Sequence, residues 1–174
     1  MTGVQTCALP ISTSTKVYDG NASSTATPAI TTGTLAAGDT ATWTPIYDNK
    51  IVGNNHLMIP AGSVSDGNSG DNYAVTFVSI ATGVITPRAI IGNITANNKV
   101  YDGTNAATIA TRTLAGVVPL DAVSLVGGTA TFSDKNVGNG KAVTAQGLSL
   151  SGTDAVITPS TRPRRPRRTS RLHR

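Results

Sequence analysis

The pentapeptide Lys-Val-Tyr-Asp-Gly occurs twice in this chain of 174 residues, at residues 16–20 and again at residues 99–103. The two copies start 83 residues apart, the difference between positions 16 and 99. Similar sequence follows each copy in the same order, including a stretch rich in Asp, Asn, Lys and Gly at residues 48–54 and at 134–139. Self-similarity that keeps its order over a domain-sized offset indicates tandem units of one architecture. The repeat therefore predicts two related domains with equivalent strands. We expect Tyr18 to correspond to Tyr101 in a like environment, and the Asp48 loop to correspond to the Asp134 loop.

The composition favours β-structure. Glutamate is absent, although exposed helix faces usually carry it, while Thr, Val and Ile are frequent and suit half-buried strands. The 18 glycines, together with Asn and Asp, supply frequent chain reversals. We predict an all-β fold of two tandem small units of β-sandwich or β-grasp type, the second incomplete, with disordered ends.

Periodicity places several candidate strands. The run from Tyr73 to Val78 is apolar on both faces, which is typical of a central strand. Residues 88–98 join the repeats and are too apolar for a free linker, so we expect a strand there. The other candidate strands are residues 29–35, 41–47, 56–59, 83–87, 108–115, 121–126, 128–132 and 142–150.

The pentapeptide itself predicts a strand that ends in a turn. Val17 and Tyr18 should enter the strand, and Asp19-Gly20 should turn out of it, because Gly readily adopts positive φ. We expect the tyrosine ring to cover the end of a small core, the alternative being a functional Tyr-Asp site. The structural signature consists of Tyr18, Asp19, Gly20, Tyr101, Asp102 and Gly103.

These motifs, with the runs at residues 66–87, 134–141 and 147–155, carry a resemblance to a known family. The chain from about residue 16 to residue 155 resembles two YDG-type repeats, modules strung in tandem in large filamentous-haemagglutinin-like adhesins exported to the surface of Gram-negative bacteria. The resemblance implies an all-β stalk or adhesion module with an extracellular, outer-surface location. It implies no enzymatic activity and carries over no binding residues.

Catalytic chemistry has few candidate residues. The histidines are His56 and His173, the single cysteine is Cys7, and no Gly-rich phosphate loop stands between a strand and a helix. His56 is the sole plausible general base for the many Ser and Thr hydroxyls. We therefore expect no enzyme activity and no cofactor.

One acidic loop, residues 66–72, is a candidate calcium site. Its oxygen ligands would come from Asp66, Asn68 and Asp71. The loop lacks the EF-hand glycine position and the bidentate Glu, so Asx turns are the preferred interpretation and calcium is the alternative.

The two ends of the chain differ from the repeats. Residues 1–11 resemble a translated sequencing adapter, so we expect residues 1–15 to be a disordered lead before repeat 1 at 16–87 and truncated repeat 2 at 88–155. Residues 1–159 carry seven Lys or Arg against nine Asp, so the seven Arg of the tail at 156–174 produce the net charge of +5. We interpret this Arg/Pro-rich tail as disordered and as a frameshifted reading of the rest of repeat 2, the alternative being a basic arm for nucleic acid or anionic lipid.

Two classes of function remain. The first is a non-catalytic structural or adhesive module, a fragment of a large secreted bacterial surface adhesin. The second is a carbohydrate-binding β-domain of an extracellular polysaccharide-active protein, which would need exposed aromatic side chains. We expect neighbouring repeats of the parent protein as partners, with host or surface glycans and proteins as further candidates. Because the excess charge lies in the tail and no apolar run nears twenty residues, we expect no nucleic-acid binding and no membrane insertion.

Overall fold

A computed structural model describes residues 14–155 and 172–173, which form β-strands and turns and no α-helix. The all-β prediction is therefore confirmed. The chain divides into two compact units, Met1–Pro87 and Arg88–Arg174. No helix in the described part of the chain is long and apolar enough to cross a membrane.

The first unit contains one mixed sheet and one hairpin-like pair. Its strands are β1 (Thr15–Val17), β2 (Thr40–Trp43), β3 (Ile46–Tyr47), β4 (Gly53–Ile59), β5 (Gly62–Ser65) and β6 (Ile80–Thr86). The larger sheet has the order β1-β6-β4-β3, in which β1 runs parallel to β6 and the other pairs are antiparallel. β2 and β5 form a separate antiparallel pair. β6 is thus paired on both of its edges.

The core of the first unit lies against the four-stranded sheet. Alternate residues of β4 and β6 face inward, as the period of two requires. β6 also carries Gly83, where a Cβ atom would lie 2.7 Å from Met58 Sδ and 2.8 Å from Tyr47 Cε1. Glycine is needed there because the core approaches the backbone closely. The buried apolar side chains are Tyr18, Tyr47, Met58, Val64 and Ile85.

The second unit is built from three described sheets. Its strands are β7 (Ile91–Ala96), β8 (Lys99–Val100), β9 (Ala106–Ala107), β10 (Ile109–Ala115), β11 (Ser124–Phe132), β12 (Val143–Ser151) and β13 (Leu172–His173). β10 pairs with β7, β11 lies between β12 and β9, and β13 runs parallel to β8. The core cluster comprises Ile94, Ala130, Phe132 and Val143.

Several strand predictions agree with these bounds. The predicted joint strand is β7, and residues 56–59 and 83–87 fall within or beside β4 and β6. Residues 121–126 and 128–132 were predicted as two strands, but the ladder continues through them as the single strand β11. Residues 41–47 are split into β2 and β3 at Pro45, which has no N–H to donate to a ladder.

Two strand predictions are wrong. Residues 29–35 and 73–79 contain no strand, although residues 73–78 had the most strand-like pattern in the sequence. The β4–β6 ladder stops at the pair Met58↔Ile80, and β4 is followed by Pro60, so residues before Ile80 find no partner in it. An apolar pattern shows that a segment packs against other residues, but a strand also needs a neighbouring strand to pair with. Residues 73–79 lie beyond the end of the β4–β6 ladder and have no such neighbour in it.

The predicted disordered lead and most of the Arg/Pro-rich tail lie outside the described residues. The part of the tail that the structure describes is β13, which pairs with β8 through Leu172↔Lys99 and His173↔Val100. The predictions of an adapter-derived start and a frameshifted end remain predictions.

Candidate functional sites: two lysine-centred turns

The first signature folds around the ammonium group of Lys16. Its Nζ donates to Asp19 Oδ1 at 2.7 Å, to the backbone oxygen of Asn21 at 2.7 Å and to Asn21 Oδ1 at 3.1 Å. The backbone oxygen of Ser23 is a fourth acceptor at 3.0 Å, so two of the four acceptors share one of the three ammonium N–H groups. The same ammonium lies 5.4 Å from the centroid of the Tyr47 ring. We call residues 16–23, closed by this lysine, the first lysine-centred turn.

The second signature has the same construction. Lys99 Nζ donates to Asp102 Oδ1 at 2.7 Å, to Thr104 Oγ1 at 2.9 Å and to the Thr104 backbone oxygen at 3.1 Å. The last bond reaches the backbone oxygen of Ala106 at 3.0 Å. Each acceptor lies 83 positions after its counterpart in the first turn. Residues 99–106 therefore form the second lysine-centred turn.

The aspartate and glycine of each signature have separate tasks in the turn. Asp19 Oδ1 also accepts the N–H of Asn21 at 3.2 Å, and Asp102 Oδ1 accepts that of Thr104 at 2.9 Å. The following glycines have φ of 86° at Gly20 and 79° at Gly103, a region that L side chains rarely adopt. The prediction of a turn at Asp-Gly therefore agrees with the structure at both sites.

The two aspartate carboxyls are both held in the ionised form. Partial desolvation raises the pKa of Asp19, but hydrogen bonds from Lys16 and from the Asn21 N–H outweigh it and leave the pKa lowered. The hydrogen bond from Lys99, supported by Thr104, lowers the pKa of Asp102 to about 2. Each turn is thus an ion pair embedded in hydrogen bonds to the backbone.

The two tyrosines of the signature differ in exposure. Tyr18 is 0% exposed, as predicted for a ring that covers a core, whereas Tyr101 is 49% exposed. The expectation of like environments is wrong for this side chain. The turns themselves are alike, so the difference arises outside them: β1 borders the seven-residue β6, whereas β8 borders the two-residue β13.

A second pair of loops also matches between the units. Asp48 Oδ1 lies 2.6 Å from His56 Nδ1, and the corresponding Asp134 bonds Lys141. The bond to His56 lowers the pKa of Asp48, and the bond from Lys141 lowers that of Asp134. Before each loop, Tyr47 and Phe132 occupy equivalent places, since their N–H groups donate to the oxygens of Ala22 and Asn105. The predicted correspondence of the two loops agrees with these bonds.

The candidate calcium loop is organised by one carboxylate. Asp66 Oδ1 accepts the N–H groups of Asn68 at 2.7 Å and Gly70 at 2.8 Å, and Oδ2 accepts that of Asn72 at 3.1 Å. The bond from Gly70 is the main reason that the pKa of Asp66 is lowered. Asp71 is exposed in the same loop, and no group of three His, Cys, Asp or Glu in the described ranges is arranged to hold a metal ion. The loop therefore has the geometry of Asx turns.

A small aromatic surface lies on the first unit. The rings of Trp43 and Phe77 meet edge to face at 6.0 Å and 86°, and Phe77 is 37% exposed. Nearby in sequence, the Tyr73 hydroxyl donates to Asp39 Oδ2 at 2.5 Å and accepts the N–H of Ala36 at 2.8 Å. The bond to Asp39 raises the pKa of Tyr73. Phe77 belongs to residues 73–79, which form no strand, and its ring contact joins them to Trp43 of β2. We call Trp43 and Phe77 the aromatic surface.

The sequence did not reveal the lysines as the centres of the signature sites. The sequence shows Lys16 and Lys99 only as the first residues of the repeat, and half of their acceptors are backbone oxygens, which no sequence pattern displays. The available signal was the constant spacing of Lys and Asp at positions 16 and 19 and at 99 and 102. A lysine three residues before an Asp-Gly turn can reach its carboxylate.

The fold and the two turns define an all-β protein of tandem units, each with a lysine-centred turn. The chain belongs to the YDG domain family, whose sequence model matches residues 5–82 and 86–156. The resemblance to YDG-type repeats is thereby confirmed. No curated protein and no solved structure matches the chain.

Proposed function

We propose that this chain is a pair of non-catalytic structural modules from a large secreted bacterial surface adhesin. The observation that carries the proposal is the use of the signature residues: in both turns the aspartate is engaged by lysine and by backbone N–H groups. These bonds hold the shape of each turn and lower the pKa of its carboxyl, so that the group stays ionised and has no proton to donate. A turn held by several bonds in this way suits a repeat that spaces or presents other domains.

The environment of His56 supports a role without catalysis. This side chain is 7% exposed, and its Nδ1 bonds the Asp48 carboxylate. Its Nε2 is buried without a hydrogen-bond partner among the described residues, so no Ser or Thr hydroxyl there is activated by it. A base closed off in this way could not reach a substrate.

Surface location is tested on intact cells of the source bacterium. Antibodies against the recombinant chain should label intact cells, and external protease should remove the label while a cytoplasmic control protein survives. Labelling that requires permeabilised cells would contradict the proposal. Adhesion itself is tested by adding the chain to host cells or glycan-coated surfaces in competition with the bacteria, where we expect reduced attachment.

A second candidate function is carbohydrate binding at the aromatic surface of Trp43 and Phe77. Partly exposed aromatic rings are the feature that sugar stacking requires, and Phe77 is 37% exposed beside Trp43. Titration of a polysaccharide panel against Trp43 fluorescence tests it. Saturable quenching that Phe77→Ala removes, and that Tyr101→Ala leaves unchanged, would favour this candidate over a purely structural module.

A further inference from the structure

In the first unit, β6 completes the sheet beside the signature strand. It pairs in parallel with β1, with Lys16 opposite Ile85, and antiparallel with β4 on its other edge. The N–H of Tyr18 donates to the oxygen of Thr86 at 2.8 Å. With this strand in place Tyr18 is fully buried.

In the second unit, the edge at β8 has a much shorter partner. β13 is two residues long and sets Leu172 opposite Lys99, the register that Ile85 has with Lys16. Tyr101 is still 49% exposed beside it. The two lysine-centred turns have equivalent hydrogen bonds, so the turn does not explain why Tyr101 is more exposed than Tyr18. We attribute the exposure of Tyr101 to the shorter neighbouring strand.

We propose that the β8 edge is an acceptor site for an extended segment of a separate polypeptide with the sequence pattern of β6. The segment adds in parallel to β8 and displaces β13, with its residue equivalent to Ile85 opposite Lys99. The Tyr101 N–H donates to it as the Tyr18 N–H donates to Thr86. Strand addition of this kind draws affinity from main-chain hydrogen bonds and specificity from alternate side chains.

The first unit also defines what the incoming strand must look like. At Gly83 of β6 a Cβ would lie 2.7 Å from Met58 Sδ and 2.8 Å from Tyr47 Cε1. Met58 and Tyr47 form a ladder pair, and Phe132 and Val143 form the corresponding buried pair of the second unit. The accepted strand therefore carries glycine at this position and β-branched residues after it. The inference concerns a partner strand and is independent of the adhesive role proposed above.

The test uses the full chain and a fluorescent peptide with the sequence of residues 79–87, Ser-Ile-Ala-Thr-Gly-Val-Ile-Thr-Pro. We expect saturable binding by fluorescence anisotropy, with slower hydrogen exchange at the Tyr101 amide. The matched peptide with Gly83→Val should bind at least about tenfold more weakly, which corresponds to about 1.4 kcal/mol. This comparison leaves the chain unaltered, so it does not depend on a variant folding.

Two chain variants locate the binding edge. Tyr101→Pro removes the N–H that faces the incoming strand and should abolish binding. Val100→Pro removes an N–H that points to the opposite side, because successive N–H groups alternate along a strand, and should retain binding. Absence of saturable binding, equal binding of the two peptides, or equal loss in both variants would overturn the proposal. Dimerisation of the chain alone with Tyr101 protected, measured by sedimentation velocity and exchange, would overturn it in favour of a second copy as occupant.

Discussion

Replacing Lys16 with methionine tests the lysine-centred turn most simply. Methionine keeps most of the apolar stem and removes the ammonium that donates to Asp19, Asn21 and Ser23. The Asp19 carboxylate then loses its counter-ion, and two backbone oxygens lose a charged donor. We expect the first unit to lose stability while keeping its strands.

The magnitude follows from the exposure of the partners. The Lys16 side chain is 16% exposed and that of Asp19 is 42% exposed, so solvent screens the ion pair and its own contribution is about 0–1 kcal/mol. Hydrogen bonds to a charged group contribute about 1.5–3 kcal/mol, and water can replace part of them here. We therefore expect Lys16→Met to lower the free energy of unfolding by about 2 kcal/mol. For a unit of this size that is a fall in Tm of about 10 °C.

Urea unfolding followed by Trp43 fluorescence measures this change, because the single tryptophan lies in β2 of the first unit. The matched control is Lys50→Met, since Lys50 makes no hydrogen bond or ion pair with the described residues. We expect the control to change the free energy of unfolding by less than about 0.5 kcal/mol. Equal effects of the two substitutions would refute the assignment of Lys16 as the centre of the turn.

Three further predictions concern acid, calcium and the close approach in β6. Lys99 lowers the pKa of Asp102 in the folded chain from 3.8 to about 2. The ionised carboxylate therefore stabilises the fold fully above about pH 4, and this contribution is lost as the pH falls towards 2. Asp102→Asn should make the free energy of unfolding depend less on pH between about 4 and 2. Calorimetric titration with micromolar calcium should give no signal, because Asp66 is engaged by backbone N–H groups; a signal abolished by Asp66→Ala or Asp71→Ala would contradict the Asx-turn interpretation. Gly83→Val should lower the free energy of unfolding by about 1–3 kcal/mol in urea melts, because the new side chain would clash with Met58 and Tyr47. The control is Gly38→Ala, where a Cβ meets nothing within 4 Å, so its free energy of unfolding should fall only by the strain of the positive φ.

The repeat allowed the local structure of the signatures to be predicted from the sequence. Asp-Gly after a Val-Tyr pair specifies a turn in both units, and both glycines have the expected positive φ. The correspondence of the loops after Tyr47 and Phe132 was also visible, because a short ordered motif repeats there. These features depend on residues close in sequence, which is where sequence patterns carry most information.

Features set by distant partners could not be predicted in the same way. Tyr18 and Tyr101 lie in identical pentapeptides, yet their exposures are 0% and 49%, because the strand beside each comes from far along the chain. Residues 73–79 have the alternation of a strand but meet no ladder, since β4 ends before Pro60. The role of the lysines depends in part on bonds to backbone oxygens, which every residue has and no motif marks.

The central claim is that the two signatures are the same turn, each closed by its lysine. Proton NMR of the lysine ammonium groups in a ¹⁵N-lysine sample measures this directly through their exchange with water. We expect slow exchange and hydrogen-bonded shifts for Lys16 and Lys99, and fast exchange for Lys50 and Lys135. Asp19→Asn should speed the exchange of Lys16 alone. Exchange of Lys16 and Lys99 as fast as that of Lys50 and Lys135 would contradict the account.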